Sequence, residues 1–135
     1  MTIIERLRQY KELDPHKIAL IVDDKKYTYG DLYDAILSID INDASRIVNV
    51  AQTKESPKHI VALIQSQSFV EQLVQWLAGL YTGYIPMVCH NEMDTEYVEE
   101  LARIIAYKGV APLADFGVLT SGTTGRPKPL WRNES

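Results

Sequence analysis

Apolar residues in the middle of the chain follow a pattern typical of a strand, a helix and a second strand. The continuous apolar run Ile60–Ile64 is typical of a strand buried on both faces of a parallel sheet. Ser68 and Glu71 then form a helix cap, and apolar residues continue at helical spacing as far as Gly83: Phe69, Leu73, Trp76, Leu77 and Leu80. Residues 84–88 are apolar again, so this stretch predicts a βαβ unit.

The first helix is predicted from its cap and its apolar stripe. Thr2 and Glu5 have the spacing of a capping box, and Pro15 marks the end of the helix. The residues expected on its buried face are Ile3, Leu7 and Tyr10.

A hairpin and a second helix are expected next. The β-rich run Ile18–Val22 is followed by the polar turn 23–26 and by residues 27–29, a pattern typical of two paired strands. Thr28 and Asp31 then cap a helix whose buried face carries Leu32, Ile36 and Ile39.

The signal is weaker between residues 40 and 58. Residues 41–43 have the composition of a turn, and residues 46–51 fit a short strand or an irregular helix, of which we favour the strand.

Further on, Asp94 caps a helix, and Phe116–Leu119 reads as a strand. The apolar face of that helix is formed by Tyr97, Val98, Leu101, Ile104 and Ile105. Alternating strands and helices predict an α/β fold with a parallel-rich sheet and flanking helices.

Composition and charge exclude several classes of protein. The chain has 135 residues, 46% of them hydrophobic and 24% charged, which fits one soluble globular domain. Its net charge of −4 argues against a surface for nucleic acid or anionic membranes. No apolar run is long enough to span a bilayer, and the single cysteine, Cys89, excludes an internal disulfide. We therefore expect a cytoplasmic protein.

The strongest candidate for chemistry is the segment from Thr120 to Lys128, which follows the last predicted strand. It combines glycines, which let backbone N–H groups approach an anion, with hydroxyl donors and a lysine. The spacing is not that of P-loop NTPases, because Gly125 is followed by Arg-Pro-Lys. Such a segment can also be an ordinary connection, and Lys128 an ordinary surface lysine. Its place after a strand, at the carboxyl edge of the sheet, favours a phosphate-binding loop.

Other polar residues are better explained by structure. Cys89 and His90 have no partner cysteine or histidine nearby in sequence, and His16 and His59 sit at a turn and at a strand start. Asp94 fits a helix cap. We assign no catalytic or metal-binding residue.

The same segment resembles the signature loop of the adenylate-forming enzymes, which include acyl- and aryl-CoA ligases, nonribosomal peptide synthetase adenylation domains and luciferases. Three other stretches are similar to that family in the same order: residues 19–32, residues 60–63 and residues 77–87, the last with the sequence Leu-Ala-Gly-Leu-Tyr-Thr-Gly-Tyr-Ile-Pro-Met. The resemblance implies part of the family's large N-terminal domain, and it extends over nearly the whole chain.

The resemblance also implies a reaction, in which a carboxylate attacks ATP and gives an acyl-adenylate and pyrophosphate. The acyl group then passes to coenzyme A or to the phosphopantetheine arm of a carrier protein, and ATP is used with Mg²⁺. By this likeness, the β- and γ-phosphates of ATP are held by Thr120, Ser121, Gly122, Thr123, Thr124, Gly125 and Lys128.

The chain departs from the family in two ways. Pro129 stands where the family usually has glycine, and only residues 106–115 separate the last helix from the last strand, which predicts a compact variant. The rest of the family's machinery lies beyond residue 135, so residues 1–135 are expected to form a single partial domain. We expect a fragment or split subunit that needs a complementary C-terminal polypeptide or a homologous chain, and the alternative is a non-catalytic nucleotide-binding or regulatory module. The acyl substrate is not encoded in these residues.

Overall fold

Two sheets organise the part of the chain that the computed structural model describes, residues 1–120 and 127–134. The elements are α1 (Ile3–Leu13), β1 (Ile18–Val22), β2 (Lys25–Thr28), α2 (Tyr29–Ser38), α3 (Ile41–Ala44), β3 (Arg46–Asn49), β4 (Ile60–Ile64), α4 (Phe69–Thr82), β5 (Ile85–Val88), α5 (Thr95–Lys108), β6 (Phe116–Leu119) and β7 (Pro129–Arg132). Strands β1 and β2 form an antiparallel hairpin, and the other five form one sheet in the order β3-β4-β5-β6-β7. The α/β fold class is confirmed.

Helix caps fix where the principal helices begin. Thr2 and Thr28 each form a capping box, with Glu5 and Asp31 respectively, at the start of α1 and α2. Ser68 caps α4, and that helix ends at Gly83, whose φ of 85° lies in the left-handed region that favours glycine. These predicted boundaries are confirmed.

The large sheet is parallel in its centre and antiparallel at both edges. Strand β4 pairs in parallel with β5, and β5 with β6, whereas β3 and β7 run antiparallel to their neighbours. Val61 and Leu63 of β4 point into one core, and Ala62 between them points into the other. Both cores are apolar, as the continuous apolar run of β4 indicates.

Helices cover the two faces unequally. One face carries α5, and the other carries α4 with α1, α2 and α3 around it. The β4-to-β5 and β5-to-β6 connections step in the same direction along the sheet, but α4 and α5 lie on opposite faces. The two crossovers therefore have opposite hands, and one of them departs from the right-handed rule.

Several sequence predictions were wrong in detail. Strand β7 was not predicted, and residues 41–43, expected as a turn, begin the short helix α3. Four residues expected on buried helix faces, Ile3, Tyr10, Phe69 and Ile104, are exposed. In α1 the buried residues are Leu7, as predicted, and Ile4, one residue beyond the expected stripe.

Candidate functional site

The predicted phosphate loop lies between two paired strands. β6 ends at Leu119 opposite Pro129, the first residue of β7. Beyond this pair, the Thr120 N–H donates to the Lys128 carbonyl (2.9 Å), and the Lys128 N–H donates to Thr120 Oγ1 (3.0 Å). The two described members of the predicted site, Thr120 and Lys128, are thus brought together as the base of the loop. The other predicted members, Ser121, Gly122, Thr123, Thr124 and Gly125, lie outside the described residues.

Helix α5 contacts the end of this loop that leads into β7. The Tyr97 hydroxyl donates to the Pro127 carbonyl, and Tyr97 itself is buried in the first turn of α5. Asp94, the N-cap of α5, accepts from the Tyr97 N–H at 2.7 Å, so the predicted cap also positions this tyrosine. The sequence prediction treated Tyr97 as a core residue and missed its polar contact.

The departure at Pro129 fits the strand geometry. A proline has no backbone N–H to give to a sheet, and it is therefore tolerated at the first residue of a strand or on an edge strand. Pro129 meets both conditions among the described residues, since it begins β7 and β7 pairs only with β6. The hydrogen bonds at the loop base use Lys128 instead. Pro129 therefore does not disturb the loop base.

Close packing fixes β7 against β6. Gly117 of β6 lies opposite Trp131 of β7 and beside Met87 of β5. A Cβ at residue 117 would come within 2.8 Å of Trp131 Cζ3 and would collide with the Met87 methyl group. The indole and the methionine thus fill the space that a side chain would need. The pair of strands β6 and β7, which forms the stem of the loop, therefore has one tightly packed arrangement.

A cleft of about 630 Å³ opens at the carboxyl edge beside the loop base. It lies beyond the carboxyl ends of β5 and β6, the edge of an α/β sheet where ligands bind. Trp76, Val88 and Val118 line its apolar part, and Gln72, His90 and Thr120 line its polar part. The cleft and the loop base share Thr120 and Pro127.

Gln65, at the end of β4, supports the far wall of the cleft. Its side-chain amide donates to the carbonyl oxygens of His90 (2.9 Å) and Met93 (2.7 Å). His90 Nδ1 in turn accepts from the Glu92 N–H at 3.1 Å. These bonds shape the turn after β5. The sequence gave no periodic or motif signal for Gln65, because its role depends on two segments brought together by sheet pairing.

The cysteine next to this turn has a thiol of low reactivity. Cys89 is fully buried, and burial raises the pKa of its thiol to about 11. The thiolate, which is the reactive form of cysteine, is therefore scarce at neutral pH. The Cys89 N–H donates to the Ile64 carbonyl at 2.7 Å, so this residue extends the β4–β5 ladder.

A partly buried ion pair lies at the opposite, amino edge of the sheet. Asp115 accepts from Lys58 Nζ at 2.7 Å and from the Glu134 N–H at 2.9 Å. Burial alone raises the pKa of Asp115, but the hydrogen bonds from Lys58 and from the backbone outweigh it and hold the pKa below its ordinary value. Because this pair is remote from the loop, we interpret it as structural.

Two searches of the described ranges gave no further site. In residues 1–120 and 127–134, no group of three or more His, Cys, Asp or Glu side chains could hold a metal ion. In the same ranges, no helix has both the length and the apolar character needed to cross a membrane.

Comparisons with known proteins agree with the geometry. No protein-family model matches the chain. The chain is 27% identical over 152 residues to the putative long chain fatty acid-CoA ligase VraA of Staphylococcus epidermidis, and the match covers 98% of the chain and 31% of VraA.

Several solved structures share the fold. The o-succinylbenzoate CoA synthetase MenE of Bacillus subtilis, bound to a product analogue, superimposes with a TM-score of 0.60 at 17% identity, covering 98% of the chain and 33% of MenE. The N-terminal subdomain of Klebsiella oxytoca NpsA, in complex with 3-hydroxybenzoyl-AMSN, gives a TM-score of 0.57 at 16% identity, covering 98% of the chain and 41% of that structure. The chain thus spans about a third of the length of VraA and of MenE. Sequence and fold together support the resemblance of the chain to the N-terminal portion of the adenylate-forming (AMP-binding) enzymes.

Proposed function

We propose that the chain is the N-terminal part of an ATP-dependent, acyl-adenylate-forming ligase and supplies the loop that holds the β- and γ-phosphates of ATP. The observation that supports this most is the stem formed by β6 and β7, which places Thr120 and Lys128 together at the carboxyl edge of the sheet beside an open cleft. The relatives named above are a CoA ligase, a CoA synthetase and a subdomain bound to an acyl-AMSN compound.

The loop's part in the reaction follows from where charge develops. When a carboxylate oxygen attacks the α-phosphorus, negative charge accumulates on the departing pyrophosphate. Backbone N–H groups, hydroxyls and an ammonium placed around that group stabilise the charge and keep it aligned. We assign this role to Thr120, Ser121, Gly122, Thr123, Thr124, Gly125 and Lys128. Thr120 Oγ1 already accepts from the Lys128 N–H, so its own hydroxyl hydrogen is available to a phosphate oxygen.

Mg²⁺ is implied by the same resemblance and would neutralise phosphate charge when bound. The described residues contain no cluster suited to a metal ion. We therefore assign no ligand of Mg²⁺ to them, and no step of the proposal depends on one.

The proposal includes a partner, because the chain spans only about a third of its relatives. The partner is the remaining part of the enzyme, either as a continuation or as a separate complementary chain. Val118 and Leu130, paired across β6 and β7, are 41% and 39% exposed on the face that carries α4, and they give that partner an apolar surface beside the loop. The acyl acceptor is coenzyme A or a carrier-protein phosphopantetheine, and the site of action is the cytoplasm.

Carboxylate-dependent exchange between ATP and pyrophosphate tests the proposal. The chain is mixed with the candidate complementary polypeptide and a panel of carboxylic acids, and exchange is expected only when both polypeptides are present. Lys128→Ala should lower exchange at least tenfold, since a cation that stabilises the leaving group is removed. Lys26→Ala, an exposed lysine on the separate hairpin, is the matched control and should leave exchange unchanged.

Two results would count against the proposal. If no pairing gives exchange although the chain binds pyrophosphate through Lys128, the alternative of a non-catalytic nucleotide-binding module is favoured. If Lys128→Ala exchanges as fast as the parent pair, the loop does not hold the reacting phosphates.

A further inference from the structure

A second cavity, distinct from the cleft, lies between the C-terminal half of α5 and the start of β7. Its volume is about 250 Å³, slightly below the usual range for drug-sized ligands, so it fits only a small molecule. The residues that characterise it are Leu101, Ile104, Ile105, Lys108, Lys128 and Trp131.

Most of the cavity wall is apolar. Leu101 and Ile105 are each 1% exposed and form a fixed floor, and Ile104, at 36%, stands at the rim. Trp131 is half-buried, and its indole closes the β7 side while it packs against Gly117. The wall is therefore preformed by core residues and buries the apolar part of a ligand at little cost in ordering.

Two positive charges complete the cavity. Lys108 stands in the last turn of α5, and Lys128 precedes β7; neither lysine forms an ion pair with a residue of the described ranges. The backbone around Lys128 has no N–H left for an anion. Residues 127 and 129 are prolines, and the Lys128 N–H is already given to Thr120.

This donor set distinguishes among anions. A phosphate is usually held by several backbone N–H groups or by the fork of an arginine, and this cavity offers neither. Two ammonium groups beside an apolar wall instead suit one carboxylate carried by a short hydrocarbon or aromatic group.

We propose that this cavity binds a small amphipathic monocarboxylate, with its hydrocarbon part against Leu101, Ile105 and Trp131 and its carboxylate between Lys108 and Lys128. Such a ligand contacts Lys128, the last residue of the predicted phosphate loop. Its binding therefore engages Lys128 and competes with any contact of that lysine to phosphate.

The test is titration of the ¹⁵N-labelled chain with octanoate, followed by NMR. We expect saturable shifts, with millimolar affinity, at the Trp131 indole N–H and at the amides of Lys108 and Gly109. The Trp76 indole, which lines the cleft, is the internal control and should not move. Octanol, which has the same chain length without the charge, should bind more weakly.

Variants separate the two parts of the site. Lys108→Gln and Lys128→Gln should each weaken octanoate binding about two- to fivefold, the range of a solvent-exposed ion pair, and should leave octanol binding unchanged. Ile104→Gln should weaken both ligands, and Lys26→Gln neither. Lys108 is not in the predicted phosphate loop, so Lys108→Gln tests this site independently of the proposed function.

Three outcomes would overturn the inference. They are octanol binding as tightly as octanoate, shifts that follow Trp76 instead of Trp131, and unchanged octanoate affinity in Lys108→Gln with native amide spectra.

Discussion

Gly117→Ala is the sharpest test of the packing beneath the loop. An ideal Cβ at this position would lie 2.8 Å from Cζ3 and 2.9 Å from Cε3 of Trp131, whereas carbon atoms pack best at about 3.5–4.0 Å. The same Cβ would collide with the methyl group of Met87, which is fully buried. Either the end of the Met87 side chain or the Trp131 indole must therefore move.

The cost follows from two opposing effects. Overpacking a core costs about 1–3 kcal/mol, and replacing glycine by alanine in a strand returns about 0.5–1 kcal/mol because the unfolded chain loses freedom. We expect the free energy of unfolding to fall by about 1–2 kcal/mol, and Tm by about 3–8 °C for a chain of this size.

Urea unfolding monitored by tryptophan fluorescence measures this loss. The midpoint should decrease while the slope stays constant, because the unfolded surface is unchanged. Val118→Ala, on the adjacent exposed position, is the control and should cost less than about 0.5 kcal/mol. In a Met87→Leu background the cost of Gly117→Ala should be smaller, since leucine lacks the colliding methyl group. Equal or greater stability of Gly117→Ala would refute the packing argument.

Three further predictions concern charge and reactivity. Asp115 has a pKa held below its ordinary value of 3.8, so its contribution to stability is complete above about pH 4 and is lost as the pH falls through the folded-state pKa. Replacing Asp115 by Asn should therefore cost about 1–2 kcal/mol at pH 7, and this difference from wild type, measured by urea unfolding across pH, should shrink below pH 4; a constant difference would argue against the charged contact with Lys58. Thr120→Val removes the acceptor for the Lys128 N–H and should weaken pyrophosphate binding severalfold in calorimetry, whereas Thr120→Ser should not. Cys89 should resist alkylation by iodoacetamide at pH 7.5 in the native chain and should be alkylated quickly in denaturant. Mass spectrometry measures the labelled fraction, and fast labelling of the native chain would contradict the burial of this thiol.

The sequence predicted what local signals encode. Each capped helix and the strand runs Ile18–Val22 and Ile60–Ile64 are confirmed, because capping residues and apolar periodicity act within one element. Strand β7 was missed because Pro129 breaks a strand pattern, and because its partner β6 is reached only across the loop. Contacts between distant segments, such as Gln65 with His90, carry no signal in local sequence.

Only part of the candidate site was predicted, because contacts between distant segments leave no signal in the local sequence. The composition of residues 120–128 pointed to phosphate, and the structure places both ends of that segment at the carboxyl edge. The identity of the residues that hold the loop base, notably Tyr97 through the Pro127 carbonyl, depends on how α5 packs on the sheet. Phosphate binding by residues 121–125 stays a prediction.

The stem of β6 and β7 has a consequence for how this protein can vary. Its register is fixed below the loop by four residue pairs and by the fit of Gly117 against Trp131, and above them by the mutual hydrogen bonds of Thr120 and Lys128. Adding or removing a residue between these two therefore need not slide β7 along β6, since lengthening a loop costs little compared with breaking a register. Loop length is thus a property that evolution or an engineer can change independently of the sheet.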